Sequence, residues 1–172
     1  MRSAQPIGVI GRFVAALVPS LTAVVFVLVG VVPAAVPGLS TVSPLLSVAV
    51  IFFWVVTRPA LMPPAAVFFV GLLQDVLSGG PIGLWALTLL VVQYLSLSQR
   101  QYLFGKTFTL GWVGFASIVS GAALLAWLGA CIYYGVFLSP APVLVQGALT
   151  MLVYPAIAWI LVGLSRWMPP AQ

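Results

Sequence analysis

The chain has 172 residues, 63% of them hydrophobic and 4% charged, with a net charge of +5 and a mean hydropathy of +1.27. Charged residues make up about a quarter of an ordinary globular sequence, so this composition excludes a soluble domain and points to one integral membrane domain over residues 1–172. The cations Arg2, Arg12, Arg58, Arg100, Lys106 and Arg166 stand singly between apolar runs, which excludes the clustered basic patch of a nucleic-acid-binding surface.

Apolar runs of about 17–25 residues are long enough to cross a hydrocarbon core of about 30 Å. About six are expected, over residues 13–36, 42–57, 60–77, 82–98, 110–138 and 143–164. The first, at about 24 residues, is too long for a signal-peptide core of roughly 7–15 and is expected to be retained. Pro37-Gly38-Leu39-Ser40 reads as a turn into a shorter second span. Pro63-Pro64 suit the first turn of the third span, because a helix start leaves N–H groups unused that proline lacks anyway. Ser78-Gly79-Gly80-Pro81 supplies a glycine stop and then a proline start, so the third and fourth spans form a tight hairpin. Gln99 to Tyr102, with Lys106 nearby, reads as the longest polar connection, and Ser139-Pro140-Ala141-Pro142 turns the fifth span into the sixth, which Pro155 is expected to kink.

Basic residues flanking spans are retained on the cytoplasmic side. With this span count every cation falls on one side, which predicts six spans with both termini cytoplasmic. Phe13, Trp54, Trp112 and Trp167 fall near that interface and Trp85, Tyr133 and Tyr134 near the other, as an aromatic belt would. Trp127 and Trp159 are left mid-span, where packing is the expected role. The lone Cys131 has no internal disulfide partner and reads as a packed thiol.

Asp75 is the only acidic residue, and a carboxylate in an apolar span costs roughly 2.5–3.5 kcal/mol at a helix centre, so a compensating contact is expected. A helix from Ala60 rises about 22 Å before reaching it, which puts Asp75 near the outer end, away from every cation. Three readings follow. The carboxylate locks the hairpin by taking N–H groups of the Ser78 to Gly83 turn near the start of span four; it contacts a partner or ligand; or it relays a proton or ion, for which further ionisable groups would be needed. Gly71, one turn earlier on the same face, lets another backbone approach, within the subunit or between subunits. Gly114, Ser117 and Gly121 form a second small-residue helix-packing face with the same two readings. Gly105-Lys106-Thr107 ends like a phosphate-binding loop, but Arg100 replaces the glycine five positions earlier, so it is dismissed.

Catalysis is poorly provided for. With no histidine, one acid, one cysteine and one lysine, the chain cannot build a Ser-His-Asp triad, a His or Cys metal cluster or a paired-carboxylate site, so it is expected to be no enzyme and to need no cofactor.

The pattern Arg58-Pro59, Pro63 or Pro64, Phe68, Gly71-Leu72-Leu73-Gln74-Asp75-Val76-Leu77-Ser78-Gly79, Pro81-Ile82-Gly83, Ala86-Leu87 resembles the MreD family of bacterial rod-shape-determining inner-membrane proteins. Ser98-Gln99-Arg100 and the aromatic Phe104, Phe108, Trp112 and Phe115 also look like proteobacterial members, and the specific part covers roughly a third of the chain. The resemblance implies a small multi-pass subunit of the cell-elongation machinery for peptidoglycan, surrounded by membrane lipid. It implies binding to MreC and, through it, effects on the SEDS glycosyltransferase, the class B penicillin-binding transpeptidase and MreB. It puts Asp75, Gly79, Pro81 and Gly83 in the characteristic hairpin and Arg58 at its cytoplasmic base. It also implies an all-α fold similar to the S-components of energy-coupling-factor transporters, which makes small-molecule binding by such a component the rival function. The short third span and glycine-rich turn could then line a pocket.

Overall fold

The computed structural model describes residues 9–31, 43–103 and 108–166, and all regular structure in them is helical. The elements are α1 (Val9–Val31), α2 (Leu46–Thr57), a 3₁₀ turn (Pro59–Leu61), α3 (Pro64–Ser78), α4 (Leu84–Leu103), α5 (Phe108–Tyr134) and α6 (Ala141–Arg166). The expected continuation of the first span beyond Val31, the Pro37 to Ser40 turn, Arg2, Phe104, Gly105-Lys106-Thr107 and Trp167 lie outside the described residues.

α2 is the axis of the molecule. From Leu46 to Val56 every residue is buried, as expected of a helix that is apolar all round. At 12 residues it rises only about 18 Å, too short to cross a bilayer core. α1, α4, α5 and α6 pack on it, α3 joins α1 to α4 on the outside, and α4, α5 and α6 follow one another around it. Phe52, Phe115 and Tyr154 knit α2, α5 and α6 together, with the Phe115 and Tyr154 rings stacked at 3.8 Å between centroids. Trp54 belongs to this core, not to an interfacial belt: it is fully buried, and its Nε1 donates to Thr22 Oγ1 of α1 at 2.9 Å.

α5 and α6, with 27 and 26 residues, are long and apolar enough to cross a membrane. Their outer faces carry Ile132, Leu144, Leu152 and Trp159, all largely exposed. Soluble monomers rarely leave such continuous apolar surface uncovered. Trp159, expected to pack, is 80% exposed and belongs to that surface.

Several ends differ from the sequence expectation for physical reasons. α3 starts at Pro64 with Pro63 extended before it, so the prolines sit where the missing N–H costs nothing. α4 runs on to Leu103 through the stretch read as a loop, with Arg100 in its last turn, where a cation complements the helix dipole. α5 stops at Tyr134 because Gly135 takes the left-handed conformation, φ 65°.

Pro155 sits inside α6, which continues through it. Its missing N–H frees the carbonyl four residues back, that of Met151. Trp112 of α5 fills the vacancy, donating from Nε1 to Met151 O at 3.1 Å. Such re-satisfaction by a neighbouring helix is what makes proline tolerable in an apolar medium. Trp112→Phe is therefore expected to lower unfolding free energy by about 0.6 kcal/mol. In a Pro155→Ala background, which restores the helix's own donor, the same change is expected to cost nothing. A double-mutant cycle of unfolding in mixed micelles checks both.

Candidate functional site: the hairpin between the third and fourth helices

α3 and α4 are joined by five residues, 79–83. Gly79 adopts φ 65° and ψ 17° as the left-handed C-cap of α3, and Gly83 adopts φ 98° just before α4. Both are conformations that side chains with a Cβ rarely take. Between them Pro81 turns the chain, and its carbonyl accepts the Leu84 N–H at 3.2 Å.

A helix start leaves four N–H groups without an intrahelical acceptor. For α4 these belong to Gly83, Leu84, Trp85 and Ala86, and the residue in the capping position, Gly83, has no side chain to serve them. Asp75, from the preceding helix, does so. Its Oδ2 accepts from Gly83 N at 2.8 Å and Ala86 N at 3.3 Å, and its Oδ1 accepts from Trp85 N at 2.8 Å. With Pro81 taking the Leu84 N–H, all four donors are accounted for. Asp75 is 1% exposed, so these are the bonds that compensate for its burial, and the positive end of the α4 dipole favours a carboxylate there. This is the lock expected from the sequence, with the donors lying in the first turn of α4 as well as in the connecting turn.

The close approach that makes the lock possible comes from Gly71. A Cβ at Gly71 would lie 2.4 Å from Ala86 Cα and 2.7 Å from Ala86 N. Helix backbone therefore rests directly on helix backbone, inside this chain. Gly71 and Asp75 are one turn apart on α3, and both address the first turn of α4.

Arg58 lies at the opposite end, in the connection before α3, and donates from Nη2 to Ser165 O in the last turn of α6 at 3.2 Å. Arg100 shares that end, donating from Nε to Val56 O of α2 at 3.0 Å. Both serve carbonyls left over at helix C-termini, where cations are favoured. From Leu84 to Arg100, α4 rises about 24 Å, which separates the two ends. Gly71, Asp75, Gly79, Pro81 and Gly83 are thus brought together, while Arg58 belongs to the arginine end.

The Gly114, Ser117 and Gly121 stripe stands apart from both. Ser117 and Gly121 are exposed, Ser117 Oγ donates back to Gly114 O at 2.7 Å, and nothing among the described residues lies within 4 Å of a Cβ on Gly121. α5 packs inward instead through Phe115, Ile118, Val119 and Ala122.

Sequence reasoning did not single out a second set of polar contacts. Thr150 Oγ1 accepts the Leu45 N–H at the start of α2 at 2.8 Å and donates to Gln146 O at 2.6 Å, while Gln146 Nε2 donates to Ser43 O at 2.8 Å. Gln93, buried in α4, donates to Met62 O at 2.8 Å and holds the chain before α3. Each is a polar side chain inside an apolar run, the same signal that drew attention to Asp75.

No protein-family model, no curated protein and no solved structure matches the chain.

The hairpin geometry sets an order of sensitivity. Asp75→Leu strips the acceptor from three N–H groups and is expected to cost about 3 kcal/mol, with Asp75→Asn less harmful because one oxygen remains. Gly71→Ala forces backbone apart and is expected to cost at least about 1–3 kcal/mol. Gly121→Ala, in open space, is expected to be neutral or slightly stabilising. Equilibrium unfolding of the four variants in mixed micelles measures the series.

Proposed function

We propose that the chain is a six-span protein of the bacterial inner membrane with both termini in the cytoplasm. It acts as a non-enzymatic assembly subunit of the cell-elongation complex, in the manner of the MreD proteins that its hairpin resembles. The observation carrying this reading is that the residues of the resemblance, Gly71, Asp75, Gly79, Pro81 and Gly83, form one locked hairpin remote from the arginine end. The positive-inside rule assigns the arginine end to the cytoplasm and the hairpin to the periplasmic side.

MreC, a single-span scaffold, is the direct partner in this reading, and the SEDS glycosyltransferase, the class B penicillin-binding transpeptidase and MreB are reached through it. A groove of about 420 Å³ between α5 and α6, lined by Ser120, Ala123, Gly147 and Ala148 among others, offers a seat for a transmembrane helix. Small residues let helix backbones approach in lipid, where packing supplies the association energy. A second reading is favoured by a cavity at the hairpin end, to which α3 and Trp85 contribute. In it the chain is an S-component passing a small molecule to an energy-coupling-factor transporter, and co-purification with an energising ATPase module instead of MreC identifies that case.

Pull-down of MreC from native membranes tests the first reading. Gly147→Leu, which fills the groove, and Asp75→Leu are expected to lower MreC recovery about tenfold and to round the cells, with Asp75→Asn intermediate. A loss of about 1.4 kcal/mol corresponds to that tenfold change. Cysteines at Ser78 and Gln101 are expected to label from opposite sides of the membrane. Unchanged MreC recovery and normal rods in all three variants contradict the proposal, as does labelling of both cysteines from one side.

A further inference from the structure

At the arginine end, α6 presents an open groove on its outer side. The groove measures about 530 Å³, and its described walls are Trp159, Ile160, Val162, Gly163, Leu164 and Arg166. Trp159, Gly163 and Arg166 are spaced four and three residues apart, so they share one helix face, and all three are exposed. Gly163 is a notch between the two large side chains, since nothing among the described residues lies within 4 Å of a Cβ placed on it. The face is apolar from Trp159 onward for about 10 Å and then ends at a guanidinium. Arg58 brings a second guanidinium to Ser165 O, one residue before Arg166. No acidic side chain serves that end: Asp75 is the only one in the chain, and both its oxygens are committed to the α4 amides at the opposite end.

We propose that this groove is a binding site for one anionic phospholipid. Its phosphate meets the Arg166 guanidinium, and an acyl chain lies along the Gly163 notch against the Trp159 ring. A guanidinium presents its N–H groups as a planar fork that matches the oxygens of a phosphate. Charge and shape together select the occupant. A free phosphate would leave the apolar wall uncovered, and a wholly apolar helix would leave the guanidinium without an anion, whereas a phospholipid carries both features at the spacing the groove offers. The site rests on the membrane topology proposed above, which places this end in the cytoplasmic leaflet, where anionic lipids attract basic side chains. It is independent of MreC, because every residue invoked belongs to the outer face of α6.

The test is native mass spectrometry of the full chain in mixed micelles holding equal amounts of phosphatidylglycerol and phosphatidylcholine. The wild type is expected to retain phosphatidylglycerol over phosphatidylcholine by about tenfold, a preference for which one ion pair suffices. Arg166→Gln is expected to lower that ratio about tenfold, and Arg166→Lys to keep most of it. Gly163→Leu keeps every charge but fills the notch, and it is expected to lower the ratio as far as Arg166→Gln does. That variant separates a built site from diffuse attraction to a basic surface, and it decides the matter if Arg166→Gln loses its helical circular dichroism. Excess inorganic phosphate is expected to leave the retained lipid in place. Equal retention of the two lipids by the wild type, an unchanged ratio in Gly163→Leu, or displacement of the lipid by inorganic phosphate overturns the proposal. None of these readouts depends on MreC or on which side of the membrane the groove faces, so the site and the elongation-complex reading fail separately.

Discussion

The arrangement depends on one carboxylate serving a helix that cannot serve itself. A glycine, Gly83, stands in the capping position before α4, so the first amides of the helix have no capping side chain, and in an apolar surrounding each unpaired amide would cost more than it does in water. Asp75 supplies acceptors to three of them from the neighbouring helix. The same bonds compensate for burying the only acid in the chain. Each element solves the other's problem, which fixes α3 and α4 in one register and sets the shape of the turn between them.

The other end is held by the complementary device. There the unsatisfied groups are carbonyls at the ends of α2 and α6, and the donors are Arg100 and Arg58. Anion on amides at one pole and guanidinium on carbonyls at the other follow the sign of the helix dipoles. α2, too short to reach both surfaces, hangs between these polar layers with its start tied to Thr150 and its end to Arg100. Asp75, Arg58 and Arg100 therefore act on backbone groups of helix ends, which lets so few charges organise a large apolar interior.

Much of this was legible in the sequence, for identifiable reasons. Asp75 stands out because nothing else in the chain is acidic, and glycine and proline punctuation around 79–83 marks the turn. Gly71 declares a close approach by its spacing from Asp75. Helix ends set by balance rather than punctuation were less legible: α4 continues through Gln99, Arg100 and Gln101 because Arg100 finds Val56 O across the bundle, a contact no local pattern contains. Trp54 and Trp159 exchange the roles their positions suggest, since a tryptophan's burial depends on which helix is central. The pairing of Trp112 with the carbonyl freed by Pro155 is half legible: proline announces the vacancy, but only the fold supplies the donor.

Hydrogen exchange resolved to single amides tests most directly whether Asp75 holds the start of α4. In the wild-type chain, the amides of Gly83, Trp85 and Ala86 are expected to be protected to the same degree as those in the middle of the helix. In Asp75→Leu, these three are expected to exchange at least about tenfold faster, the equivalent of losing about 1.4 kcal/mol of protection, while the amides from Val92 to Ser96 remain unchanged. Equal protection of the three amides in both proteins would contradict the lock.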